Sequence, residues 1–206
     1  MIHIWEQFLD IIFPPRETEI IIRKQPQSTW ESFYLPRKLN TNLFVLCRYE
    51  EKFIKALIKE NKFHHKKVAT DVLAFYLEKW LKAQDNNEVI IVPIPLSPNR
   101  EKERGYNQVT LVLEAAHQQH CVSPLLKRIK DTPPQSGLSR QERLHNLDNA
   151  FMVDEALLNK IDFTKISTVI LVDDVYTTGT TMKVAEKCLR GKLPKGVKLS
   201  LLALAH

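Results

Sequence analysis

The chain has 206 residues, enough for one α/β domain with a substantial core and a small appendage. Hydrophobic residues make up 44%, which excludes a disordered chain, and no apolar run is long enough to span a bilayer. A formal charge of +6 and a pI of about 9.2 favour polyanionic partners, either nucleic acid or a phosphate-rich small molecule.

Cys47, Cys121 and Cys188 lie far apart and form no CxxC pair, so neither a disulfide framework nor a cysteine-bound zinc site is expected. Glu6 and Asp10 interrupt the apolar residues near the N-terminus, and no basic stretch precedes them. That pattern is unlike a secretory signal, and the expected location is the cytoplasm.

In chain order, Trp5, Phe8, Leu9, Ile12 and Phe13 fall at helical spacing, and Pro14-Pro15 stops that helix. Residues 19–23 and 32–35 suggest a small β-hairpin. A strand is expected over 43–49. Helices are expected around Phe53, Leu57 and Ile58, and from Val68 to Leu81 through Val72, Phe75, Tyr76 and Trp80. The run 89–92 is a short apolar strand ending in Pro93-Ile94-Pro95, and a helix follows over 106–120.

Residues 122–126 suggest another short strand, and 127–149 a long polar, basic loop, a kind more often functional than passive. A strand over 168–172, a helix over 180–190 and a strand over 198–204 complete the chain. Alternating helices and buried-type strands argue for a mostly parallel sheet flanked by helices.

The segment Val169-Ile170-Leu171-Val172-Asp173-Asp174-Val175-Tyr176-Thr177-Thr178-Gly179-Thr180-Thr181 carries the chemistry. A buried strand delivers two acids to the carboxyl edge of the sheet, where open α/β folds bind ligands. The following helix N-terminus leaves N–H groups unpaired and carries a positive dipole end. With the threonine hydroxyls these groups cradle a phosphate monoester. Both acids would repel that phosphate, but they accept hydrogen bonds from neutral sugar hydroxyls beside it. A sugar phosphate therefore satisfies the loop better than free phosphate. A P-loop ATPase is excluded because no GxxxxGK[ST] sequence occurs; a turn that merely caps a helix is the plain alternative.

Ser97, Arg100, Arg104, Asn107 and Gln108 follow the earlier strand and are candidates for holding a second anion such as pyrophosphate. The long loop offers Arg128, Lys130, Gln135, Ser136, Arg140, Arg143 and Asn146, a mixture that fits a closing lid. An ordinary turn and a solvated basic loop are the competing readings of these two segments. Lys52, Lys55, Lys59, Lys62, Lys66 and Lys67 form a basic stripe that either tracks a phosphate backbone or is a solvated helix face.

The acid pair and threonine loop resemble the phosphoribosyl pyrophosphate (PRPP) signature of type I phosphoribosyltransferases. More narrowly, VPIPLSPNREKERGYNQ, RIKDTPPQSGLSRQERLHNLDNAF and VILVDDVYTTGTTM, in that order, resemble the ComF/ComFC competence proteins. The resemblance implies an α/β type I phosphoribosyltransferase fold over residues 43–206, with residues 1–42 as a small β-rich appendage. It implies a cytoplasmic protein of natural transformation that handles single-stranded DNA beside a helicase-like ATPase. Dimerisation is an expectation from the fold class alone.

The resemblance also assigns roles. Asp173 and Asp174 would hold the ribose, and Thr177, Thr178, Gly179, Thr180 and Thr181 the 5′-phosphate. Mg²⁺ would come with PRPP rather than from side chains, and Asp174 is the candidate for acid–base help. Family members often carry a four-cysteine zinc ribbon around a Phe-Pro-Pro segment. Here Phe13-Pro14-Pro15 is present without the cysteines, so no metal is expected there. A PRPP- or single-stranded-DNA-binding module without catalysis, and a nucleobase salvage enzyme, remain open beside the transferase reading.

Overall fold

The computed structural model describes residues 10, 14–84, 88–118, 121–130 and 150–206. The expected first helix and most of the basic loop, including Gln135, Ser136, Arg140, Arg143 and Asn146, lie outside the described residues.

The N-terminal part is helical where a hairpin was expected. Helix α1 (Glu17–Lys24) is followed by a 3₁₀ segment (Gln27–Phe33). Local spacing explains the correction. Glu19 reaches Arg23 one turn on at 2.9 Å, and acids open the helix while Arg23 and Lys24 close it. Ile22 is buried, and the adjoining Ile20-Ile21 reads as β only when burial is ignored. Helix α1 is tied to α2 (Lys52–His64) through Glu60, whose side chain has no solvent exposure. Arg16 donates to Glu60 at 3.0 and 2.6 Å, and Thr18 adds a hydroxyl at 2.5 Å. These bonds outweigh the upward push of burial and hold the Glu60 carboxyl below its usual range.

The strands are β1 (Arg37–Lys38), β2 (Leu43–Cys47), β3 (Val89–Pro93), β4 (Leu126–Arg128), β5 (Phe151–Val153), β6 (Thr168–Val175) and β7 (Lys198–Ala205). Five of them form one sheet in the order β1-β2-β7-β6-β3. All its pairings are parallel except β1 with β2 at the edge. Side chains alternate across β6, and both faces are covered. Ile170 and Val172 pack with Ile54, Leu57, Leu73 and Leu113, from α2, α3 (Lys67–Lys82) and α5 (Gln108–Ala115). Val169 and Leu171 pack with Met182, Ala185 and Leu189 of α7 (Thr180–Arg190).

Two further elements differ from expectation. The helix anticipated over 106–120 is shorter, and a separate helix α4 (Pro98–Arg104) precedes it. Pro98 suits a first helical turn, and Gly105, at φ +75°, ends α4 in the left-handed region. Asn107 then restarts the chain as the N-cap of α5, accepting from Val109 N–H at 2.9 Å. The second difference is β4, which starts at the last residue of the anticipated strand, runs on into the anticipated loop and pairs antiparallel with β5 in a two-stranded ribbon. A short helix α6 (Glu155–Leu158) follows that ribbon.

The sheet order positions the site. β6 lies between β3 and β7, and Pro93 stands opposite Val172. The chain leaving β3 therefore emerges beside the acids at the end of β6.

Candidate functional site

Asp173 and Asp174 are still in register with β7 when the strand ends, so backbone pairing fixes both carboxylates at the sheet edge. Asp174 is 5% exposed. Its Oδ2 accepts from Lys62 Nζ at 2.7 Å and from Gln108 Nε2 at 3.0 Å, and its Oδ1 accepts from Val175 N–H at 2.8 Å. Asp173 Oδ1 accepts from Asp174 N–H at 2.8 Å.

These partners split the pair. Burial, and then the neighbouring Asp174 charge, push the Asp173 carboxyl up to about 7. Burial pushes Asp174 the same way, but Lys62 and Gln108 outweigh it and hold that carboxyl below its usual range. The two shifts favour the anion at Asp174 and the protonated form at Asp173.

After β6 the chain turns sharply. Gly179 has φ +71°, which favours glycine, and it stands at the N-terminus of α7. The Thr178 and Thr180 hydroxyls are 3.0 Å apart. Residues 176–182 line a small dimple of about 30 Å³, with Asp173 and Val175 on its wall.

A larger cleft of about 350 Å³ adjoins the dimple and shares Asp173, Val175, Thr177 and Thr181 with it. The cleft also takes in Asp174, Gln108, Arg100, Arg104 and Arg128, so residues from both strand ends and the ribbon converge. Ser97 and Asn107, also candidates for the second anion, are outside its lining. Ser97 is buried ahead of α4, and Asn107 spends its amide on Ile94 O at 2.9 Å besides capping α5. Lys130 is likewise outside the lining.

Among the described residues no group of three or more His, Cys, Asp and Glu could hold a metal ion, and no helix is long and apolar enough to cross a membrane.

No family model matches the chain. It is 40% identical over 103 residues to Competence protein F of Haemophilus influenzae, covering 48% of this chain and 43% of that protein. It is 31% identical over 145 residues to Competence protein ComFC of Streptococcus pneumoniae, covering 70% of this chain and 60% of that protein. The chain belongs to the ComF/ComFC family. DNA utilization protein YhgH of Salmonella typhi is 35% identical over 104 residues, covering 48% of this chain and 43% of that protein. The chain thus spans about half the length of these curated relatives.

The ComF-family cleft holds residues that the sequence did not single out as its lining. Tyr49, Ile58, Lys59, Lys62, Phe63 and Leu96 all face it. Lys59 and Lys62 belong to the basic stripe; of its other members, Lys52 and Lys55 are exposed and Lys67 pairs with Asp71 at 2.7 Å. The local hint was polar Glu60-Asn61 in an otherwise apolar helix face, both buried, which shows how deeply this end of α2 is set. Phe63 is 59% exposed, with the Arg104 guanidinium 5.4 Å from its ring centre.

Proposed function

We propose that this ComF-family chain binds PRPP in the cleft and acts in DNA uptake or utilisation. The observation that supports the reading is one cleft uniting an acid pair of which Asp174 is buried, a threonine-lined helix N-terminus and five cationic side chains, Lys59, Lys62, Arg100, Arg104 and Arg128. A sugar carrying a phosphate at one end and a diphosphate at the other uses all three. A free phosphate leaves the acids without a purpose, and a nucleic-acid backbone would be repelled by them.

The N-terminus of α7 and the threonines would take the 5′-phosphate. Asp173 and Asp174 would accept from the ribose hydroxyls, and the arginines would hold the diphosphate through paired N–H donors. Mg²⁺ fits as a hard cation that prefers oxygen, supplied mainly by the ligand, with the acid pair near it; when bound it would offset the diphosphate charge. In a transfer reaction the bond from C1 to the diphosphate would break, the arginines stabilising the leaving group. Of the two acids, Asp173 is the better placed to accept a proton from an acceptor, because Asp174 is held as an anion by Lys62 and Gln108.

The cellular role rests on the relatives named for competence and DNA utilisation. It is tested by expressing the chain in Haemophilus influenzae lacking Competence protein F. Wild type is expected to restore transformation and Asp173→Asn/Asp174→Asn is not. Equal restoration by both would separate the role from the cleft.

A further inference from the structure

We propose that Lys62 sets ligand specificity by exchanging Asp174 for the diphosphate of the incoming ligand, so that ribose 5-phosphate, which lacks a diphosphate, is rejected. The inference rests on the PRPP reading above and deepens it.

Asp174 Oδ2 cannot receive a sugar hydroxyl as it stands. The residue is 5% exposed, Oδ1 accepts from Val175 N–H, and both lone pairs of Oδ2 already take donors. For a hydroxyl to reach Oδ2, one donor must withdraw. Gln108 is held on several sides: it is 4% exposed, its amide oxygen accepts from Arg104, and its main-chain oxygen accepts from Asn61 Nδ2 at 3.1 Å. Asn61 is itself fixed by Thr70 Oγ1 at 2.8 Å.

Lys62 is built differently. Its side chain is 26% exposed and lines the cleft. Its backbone is pinned, because the Tyr106 hydroxyl donates toward the carbonyls of Asn61 and Lys62 at 3.2 and 3.1 Å. The ammonium is thus a movable head on a fixed base, carried by a flexible four-carbon stem.

When Lys62 leaves Asp174, the ribose hydroxyls take its place on the carboxylate, but neutral hydroxyls do nothing for the displaced ammonium. A half-buried cation that loses its partner without replacement is costly. A diphosphate seated by Arg100, Arg104 and Arg128 supplies the replacement in the same cleft. Ribose 5-phosphate places its one phosphate in the threonine dimple and supplies none.

The test is calorimetric titration of PRPP and of ribose 5-phosphate, each with Mg²⁺, into wild type, Lys62→Met, Lys62→Gln and Lys62→Arg. Wild type is expected to prefer PRPP strongly. In Lys62→Met the ratio of the two affinities should shrink by about tenfold or more, the fold-change one charge-assisted hydrogen bond carries. Lys62→Gln should lose it too, since it keeps a donor for Asp174 but no charge, and Lys62→Arg should recover most of it. A ratio within about twofold of wild type in both uncharged variants overturns the proposal while leaving PRPP binding intact. Failure of wild type to bind PRPP removes the functional reading, and this inference with it.

Discussion

The Tyr176 ring lies 2.3 Å from where a side-chain carbon on Gly179 would stand. The ring has a second neighbour: His206 packs edge-on at 5.5 Å between ring centres, and the His206 Nδ1 lies 2.6 Å from the Tyr176 carbonyl oxygen. Gly179 therefore serves the turn twice, by adopting φ +71° and by leaving room for Tyr176.

Gly179→Ala should accordingly cost more than the left-handed penalty of about 1–2 kcal/mol. In a Tyr176→Ala background the steric part is absent, and only that penalty should remain. Chemical denaturation of the two single variants and the double variant gives the coupling. Additive losses would show that Tyr176 moves aside freely.

Asn107 and Arg100, both anion candidates by sequence, should behave oppositely. Asn107 caps α5 and holds Ile94 O, so Asn107→Ala should cost about 1 kcal/mol of stability. Arg100 faces the cleft, so Arg100→Ala should leave the melting temperature near wild type and weaken PRPP binding about tenfold. Denaturation and calorimetry on both variants check the division. A stable Asn107→Ala with lost binding would return that residue to the ligand.

Asp173 should give the stability a distinct pH dependence. An unfolded aspartate titrates near about 3.9, whereas burial and Asp174 raise the folded group to about 7. Between those values the folded state keeps a proton that the unfolded state has lost. Its contribution is therefore full at low pH, falls as pH rises through this window, and levels off above about 7. Asp173→Asn should flatten the fall in melting temperature between about pH 4 and 7. Parallel profiles for the two proteins would show that Asp173 titrates normally.

The parts of the fold visible in the sequence are those with one strong period. The run from Thr168 to Val175 is apolar throughout until its acids, and α3 and α7 repeat cleanly at helical spacing. Residues 19–23 failed because three consecutive isoleucines suit either a strand or a helix, and the deciding bonds, Arg16 and Lys66 to Glu60 and Glu19, reach across more than forty positions. The acid pair and threonine loop were visible because one contiguous segment holds them. Lys62 was not, since its partner Asp174 lies 112 residues away and only sheet topology joins them. The hairpin of β4 and β5 was hidden for the same reason, its two strands being separated by the long basic stretch.

PRPP binding by the acid pair is tested by a thermal-shift titration with PRPP, with and without Mg²⁺, on wild type and Asp173→Asn/Asp174→Asn. Ligand at a hundred times its dissociation constant should stabilise the fold by about 2.7 kcal/mol. For a chain of this size that is a rise of about 5–10 °C in melting temperature. Wild type with Mg²⁺ should show that rise, and the double variant should lose it. No rise in folded wild-type protein, or an equal rise in the variant, would contradict binding by the acid pair.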